Sequence, residues 1–254
     1  MVKFKTKFMN RKNSIGMDSL KGSKKCVLEF INLKNFLTIL NSLVQSTGAV
    51  ITPKDKWVPF LKNDKEAELK DFLSQHFDPK HGLNIRNWWL AVSTPQTRTP
   101  NWDLVSTCKI NNKMGILLVE AKAHRHELEK GGKPENVSNN SKANHERIRS
   151  AIGEANKSIN EVIEGVSISI DNCYQLSNRV AHAWWLANQG IPSVLLYLGF
   201  LNVEDMRNKY KIFETAEEWE KCFLAHAKII GVDNLIDKQV FVGTSSFVTI
   251  SRAL

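Results

Sequence analysis

The chain has 254 residues, 42% hydrophobic and 24% charged, and a formal net charge of +9. This is an ordinary globular composition, long enough for one large domain or two small ones. No apolar run approaches the length of a membrane span, and the opening MVKFKTKFMNRKNS lacks the apolar core of a signal peptide, so no membrane association is expected. Cys26, Cys108, Cys173 and Cys222 are widely scattered with no CxxC pair. That pattern fits reduced, mostly buried thiols in a cytoplasmic protein and excludes a disulfide framework.

The charge is uneven. Residues 1–25 hold Lys3, Lys5, Lys7, Arg11, Lys12, Lys21, Lys24 and Lys25 against Asp18 alone, which is +7 of the total +9. A basic arm of this kind neutralises phosphates and speeds encounter with nucleic acid. The same composition also suits a solvated, flexible tail, so the arm by itself assigns no partner. We therefore expect an arm over 1–25 and one domain over 26–254, its core lying at about 64–201.

Taken in order, residues 26–48 repeat apolar side chains at helical spacing up to Gly48 and predict one amphipathic helix. Residues 49–61, with Pro53 and Pro59, read as extended. Asn63 or Asp64 then caps a second helix over 65–77, with Leu69, Phe72, Leu73 and His76 on one face and Glu66 sharing it. Residues 83–92, LNIRNWWLAV, read as the first core strand or a short helix feeding it, with Trp88 and Trp89 supplying packing area.

Two apolar runs, 102–110 and 115–121, flank the polar turn of Asn111, Asn112 and Lys113, which predicts a β-hairpin. Side chains two apart on a strand share a face, so Glu120 and Lys122 project together. The hairpin brings Asp103, at the start of its first strand, beside them. Two carboxylates and an ammonium group at the end of an apolar sheet are costly unless they pair or hold a metal. Hard oxygen ligands of this kind suit Mg²⁺ or Mn²⁺. The simpler reading is a surface salt bridge at a strand end.

Beyond the hairpin, the polar stretch through residue 142 reads as a mobile surface loop, and His124 and His126 as exposed side chains. Gly131, Gly132 and Lys133 lack the spacing of a phosphate loop. Residues 143–163 predict a helix with Ile148, Ile152, Ala155, Ile159 and Val162 inward, and residues 173–188 another. On the latter, Gln175 and Arg179 are four apart and share a face, with Asn178 a weaker neighbour. This pair reads either as a solvated polar stripe or as part of a site. The apolar run 191–200 predicts a central strand buried on both faces. A helix over 214–230 and a terminal hairpin, 239–242 and 246–251 about Gly243, close the chain at the domain's edge.

Asp103 on one strand and Glu120-Ala121-Lys122 on the next resemble the PD-(D/E)XK nuclease superfamily, the restriction-endonuclease-like fold. The ExK half is intact; Pro100 stands three residues before Asp103 instead of directly before it, and the proline carries no chemistry. VEAKAH, YQLSNR and GIPSVLLYLGFLN are similar to a bacterial branch of that superfamily, which brings no substrate with it.

The resemblance implies an α/β fold with an α-β-β-β-α-β core, its central mixed sheet flanked by helices, and extra elements at both ends. It also implies a metal-dependent nuclease, with DNA the expected substrate and 5′-phosphate and 3′-hydroxyl products. Asp103, Glu120 and the Ala121 carbonyl would hold Mg²⁺, with Mn²⁺ a substitute. Glu66, or alternatively Glu68, would join them from the preceding helix. Lys122 would orient or deprotonate the attacking water, and Gln175 and Arg179 would face the metal or the phosphate. A homodimer is compatible with the resemblance, although no segment identifies an interface. The competing readings are an RNA-directed nuclease and a non-catalytic nucleic-acid- or partner-binding module on the same fold.

Overall fold

The computed structural model describes residues 20–60, 66–94, 97–135 and 138–254. Most of the basic arm and the expected cap at Asn63 or Asp64 lie outside them. The single helix expected over 26–48 is two: α1 (Gly22–Ile31) and α2 (Phe36–Val44). The break falls at NLKN, where the Asn32 side chain donates to the Leu28 carbonyl at 2.6 Å and competes with helix continuation. The resulting bend of 113° lets both helices lay apolar faces, including Val27, Leu28, Phe36, Leu40 and Val44, against one side of a sheet. The basic segment does not extend to residue 25 as an arm, because Lys24 and Lys25 already belong to α1.

Two short strands follow, β1 (Ala49–Val50) and β2 (Trp57–Val58). Residues 67–68 form β3 (Ala67–Glu68), which leads directly into α3 (Leu69–His76). The helix expected from residue 65 therefore starts later, and Glu66 stands before a strand. Of the two readings, the helix is the one found for residues 83–92. They belong mostly to α4 (Pro79–Trp89), whose start is set by Pro79 in its first turn and by Asp78, which accepts from the Lys80 N–H at 2.9 Å. Strand β4 (Asn101–Trp102) pairs with β3, then β5 (Leu104–Ile110) and β6 (Lys113–Lys122) form the hairpin. Asn111 and Asn112 both take positive φ, 49° and 66°, as a two-residue turn matching the twist of its strands requires.

Residues 123–142 are more ordered than a loop. They carry a 3₁₀ turn (Arg125–Glu127) and the first residues of α5 (Asn139–Asn160), and Lys133 N–H donates to the Ile170 carbonyl at 2.7 Å. In α5, Ile148, Ile152, Ala155 and Ile159 are buried as expected, but Val162 lies beyond the helix and is exposed. Helix α6 (Tyr174–Asn188) and strand β7 (Ser193–Gly199) follow, then α7 (Glu204–Arg207) and α8 (Ala216–Ala227). Strands β8 (Gln239–Val242) and β9 (Ser245–Ala253) make the terminal hairpin.

The result is a mixed α/β fold. The sheet order is β1-β5-β6-β7-β9-β8, with β2 also on β5; β7 runs parallel to β6 and β9, and the two hairpins are antiparallel. The terminal hairpin is not wholly peripheral, because β9 sits inside the sheet and only β8 is at the edge. Strand β7 is buried along its whole length, since it has neighbours on both sides and helices over both faces. Among the described residues, no single helix is long and apolar enough to cross a membrane.

Strand parity divides the core. Leu117, Val119 and Ala121 of β6 and Leu104 of β5 face α1 and α2. Ile116 and Leu118 of β6 and Val105 of β5 face the opposite layer, which includes α4, α5 and α6. Glu120 and Lys122 continue this second face to its end, and β5 pairs Leu104 with Val119, so Asp103, in the bend between β4 and β5, falls beside Glu120. At that end Gly199 pairs with Lys122, and a Cβ built on it would lie 2.2 Å from the ring of buried Trp219. Gly199→Ala should therefore destabilise the protein by about 1–3 kcal/mol, as overpacking does. Relief of glycine's backbone entropy alone would instead stabilise it. The urea midpoint decides between the two signs.

Candidate functional site

The apolar face of β6 ends where the sheet meets the start of α6. That start is fixed by two backbone hydrogen bonds, Cys173 N–H to the Lys130 carbonyl at 3.0 Å and Tyr174 N–H to the Gly131 carbonyl at 3.1 Å. Gln175 and Arg179, one turn apart on α6, face β6. The Glu120 carboxylate accepts from Lys122 Nζ at 2.6 Å on one oxygen and from Arg179 Nε at 2.7 Å on the other. Lys122 Nζ also donates to Gln175 Oε1 at 2.7 Å. Glu120, Lys122 and Arg179 are all buried, with 3%, 4% and 7% of their surfaces exposed. This excludes both a surface salt bridge and a solvated polar stripe.

Arg179 is held on two more sides. Its guanidinium donates to the Asn101 carbonyl at 2.7 Å and lies 4.3 Å from the centre of the Trp102 ring. Burial works to raise the Glu120 pKa, but Arg179 and Lys122 overcome it and hold the carboxyl below its ordinary value. Arg179 is correspondingly raised, Glu120 outweighing burial. Beneath them His182 is ringed by Trp88, Trp89 and Trp102, and burial lowers its pKa to about 3, so it adds no charge at neutral pH. Trp88 and Trp89 are packing residues, as expected.

Asp103 is half-buried. One of its oxygens accepts from the Ala121 N–H at 2.8 Å, and the other accepts no hydrogen bond among the described residues. The contact that the structure gives Ala121 is thus through its N–H. Burial, with the Glu120 charge second, raises the Asp103 pKa from 3.8 to about 7, despite Lys122, the Ala121 N–H and Arg179 acting against the shift.

Asp103, Glu120, Gln175 and Arg179 line one open cleft of about 1000 Å³. Glu66 lines it too, and shares a small void with Asp103; its carboxylate pairs with Lys24 at 3.1 Å. Glu68 turns elsewhere, toward Lys70 and Arg98 and the Thr99 hydroxyl, so Glu66 is the acid that faces the pair. Sequence reasoning missed Trp102 beneath Arg179, Lys133 on the cleft wall, and Tyr197, which stands in register with Glu120 and whose hydroxyl is buried without a partner among the described residues. Trp102 had a signal in its place next to Asp103; the other two appear only once the strands and loops are paired. His124 is corrected: it is buried, stacked on Tyr210 at 4.0 Å, while His126 is exposed.

Among the described residues, no three His, Cys, Asp or Glu side chains form a group that could hold a metal ion. Mg²⁺, however, is commonly held by one or two carboxylates, with waters and substrate phosphates completing its shell. Asp103 and Glu120 are two hard carboxylates on one cleft; Asp103 keeps one oxygen without a hydrogen bond among the described residues, while Lys122 and Arg179 occupy both oxygens of Glu120. The donor set fits by its chemistry. No family model matches the chain, and no curated protein or solved structure resembles it significantly.

Two tests follow from the charges. Because Asp103 keeps its proton longer when folded, its own contribution to stability in chelator falls as pH rises from about 4 to about 7 and then levels off. Asp103→Asn removes that loss, so the melting temperature of the variant relative to wild type should climb across the same window. Arg179→Ala leaves Glu120 buried with one partner fewer and should cost about 3–5 kcal/mol by denaturant midpoint. Adding Glu120→Gln should recover part of that loss, and strict additivity of the two changes would refute the pairing.

Proposed function

We propose that this protein is a metal-dependent nuclease that hydrolyses phosphodiester bonds, with DNA as the substrate and 5′-phosphate and 3′-hydroxyl ends as products. The observation that carries the reading is the meeting on one cleft of Asp103, from the bend between β4 and β5, Glu120 of β6, and Gln175 and Arg179 of α6, with Lys122 buried against Glu120 and Gln175. Asp103 and Glu120, with the Ala121 carbonyl and Glu66 on the rim, would hold Mg²⁺. A bound Mg²⁺ supplies Lewis acidity and a more acidic water.

The chain's own residues do the rest. Arg179, pinned by Asn101 and Trp102, presents a planar donor suited to a phosphate oxygen. Lys122 places an ammonium group where the attacking water and the developing phosphoryl charge must lie. Gln175, bonded to Lys122, keeps that group directed and offers its own amide to the water. A cytoplasmic location and a homodimer belong to the same proposal and add nothing to its chemistry.

A second reading has one observation in its favour: both Glu120 oxygens are already taken by Lys122 and Arg179. A cluster closed in this way suits a nucleic-acid-binding module that needs no metal. Incubating linear, circular and single-stranded DNA, and RNA, with Mg²⁺ or Mn²⁺ separates the two. The nuclease reading expects metal-dependent cutting that drops by about 100-fold or more in Lys122→Ala. DNA binding indifferent to Mg²⁺, with every substrate left whole by the wild type, would instead establish the binding module.

A further inference from the structure

Beside the cleft lies a second groove of about 370 Å³, walled by α3 and α4 and lined by residues that include Lys70, Ser74, Arg86, Ser93, Thr97 and Arg98. Its walls are tightly set, since a Cβ on Gly82 would lie 1.9 Å from Ser74 Oγ and 2.3 Å from the Lys70 carbonyl. The groove opens into the cleft, with Leu90, Thr94, Thr97 and Arg98 lining both.

Its charges are unequally satisfied. Asp71, the acid among its lining residues, pairs with Lys70 at 2.7 Å, and Glu68 lies within 3.5 Å of both Lys70 and Arg98. The Arg86 side chain has no ion pair or hydrogen-bond partner among the described residues, and its Nε is shielded from solvent. A buried N–H donor left without a partner is costly, and an anion that comes to it removes the cost. Its planar fork matches a phosphate better than a spherical ion.

We propose that this groove is a second phosphate site, in which Arg86, with Arg98 on the shared rim, holds a backbone phosphate of a nucleic-acid strand away from the bond at Asp103 and Glu120. The inference rests on the nuclease reading and extends it: the enzyme grips its substrate on one flank of the cut. Five steps of the chain lead from Arg98 to Asp103, so the two are at most about 18 Å apart. A ligand with a single phosphate fills one of the two sites at a time, and a longer strand fills both.

The test uses the full chain in chelator, where nothing is cut, and fluorescence anisotropy of labelled single-stranded DNA of about 2 nucleotides, with one internal phosphate, and of about 16 nucleotides over a salt series. Wild type should bind the longer strand more tightly. Arg86→Gln should weaken that complex by about fivefold or more and reduce its log K against log salt slope by about 0.7, one phosphate's share. It should leave the shorter strand unaffected. Arg86→Lys should restore the slope, and Arg98→Gln repeats the test if Arg86→Gln melts early. An unchanged affinity and slope for the longer strand, or an equal loss for both lengths, would overturn the second site and leave the nuclease reading intact. Wild type that binds neither strand would overturn the second site, while metal-dependent cutting decides the nuclease reading separately.

Discussion

Glu120 sits where an apolar strand runs out, with Lys122 on one oxygen and Arg179 on the other. Removing three charges from water costs several kcal/mol for each ion, and their attraction repays this only with good geometry and every donor engaged. Much of the surrounding structure supplies that geometry. The loop at 130–131 ties down the start of α6, Trp102 and the Asn101 carbonyl hold Arg179, and Gln175 takes a further Lys122 donor. Such a cluster is poor value as a source of stability, since well-packed apolar side chains would do as well. Its presence argues for a task that needs charge in this place.

Asp103 is the member left out of balance. It borders the cluster without a cation of its own, and it keeps an oxygen free on the cleft side. Glu120 is neutralised and Asp103 is not, so the two carboxylates differ in what they can still accept. On the proposed nuclease reading, Asp103 would be the carboxylate open to a metal ion, and Glu120 would join it only as Lys122 or Arg179 let go, leaving that cation for phosphate.

Much of this was readable before the fold was known. The hairpin could be read because an Asn-Asn turn between alternating apolar runs is a local signal, and the facing of Glu120 and Lys122 follows from strand periodicity alone. The Gln175 and Arg179 pair came from helical spacing, although spacing could not tell a solvated face from a buried one. The differences have two sources, local side-chain hydrogen bonds that periodicity does not register and contacts distant in sequence. Asn32 broke a helix that apolar periodicity ran straight through. For residues 83–92, whose aromatic and branched side chains left strand and helix both open, Asp78 and Pro79 decide for the helix, which carries through to Trp89. His124 looked exposed because the ring that covers it, Tyr210, is far away in sequence. Glu66 was placed on a helix; it precedes a two-residue strand instead, and still reaches the cleft.

The turn at Asn111 and Asn112 lies at the far end of the hairpin from the charges, eight residues from Asn112 to Glu120, or roughly 27 Å of strand. Because alternate side chains of β6 belong to opposite layers, one residue gained or lost in that turn would rotate the whole strand by half a pleat. Glu120 and Lys122 would then enter the layer built by α1 and α2, where Leu104, Val119 and Ala121 now pack and Arg179 cannot follow. A distant, solvent-facing dipeptide thus acts as the reading frame of the site. Its chemical identity can drift among residues that tolerate positive φ, but its length cannot change by an odd number.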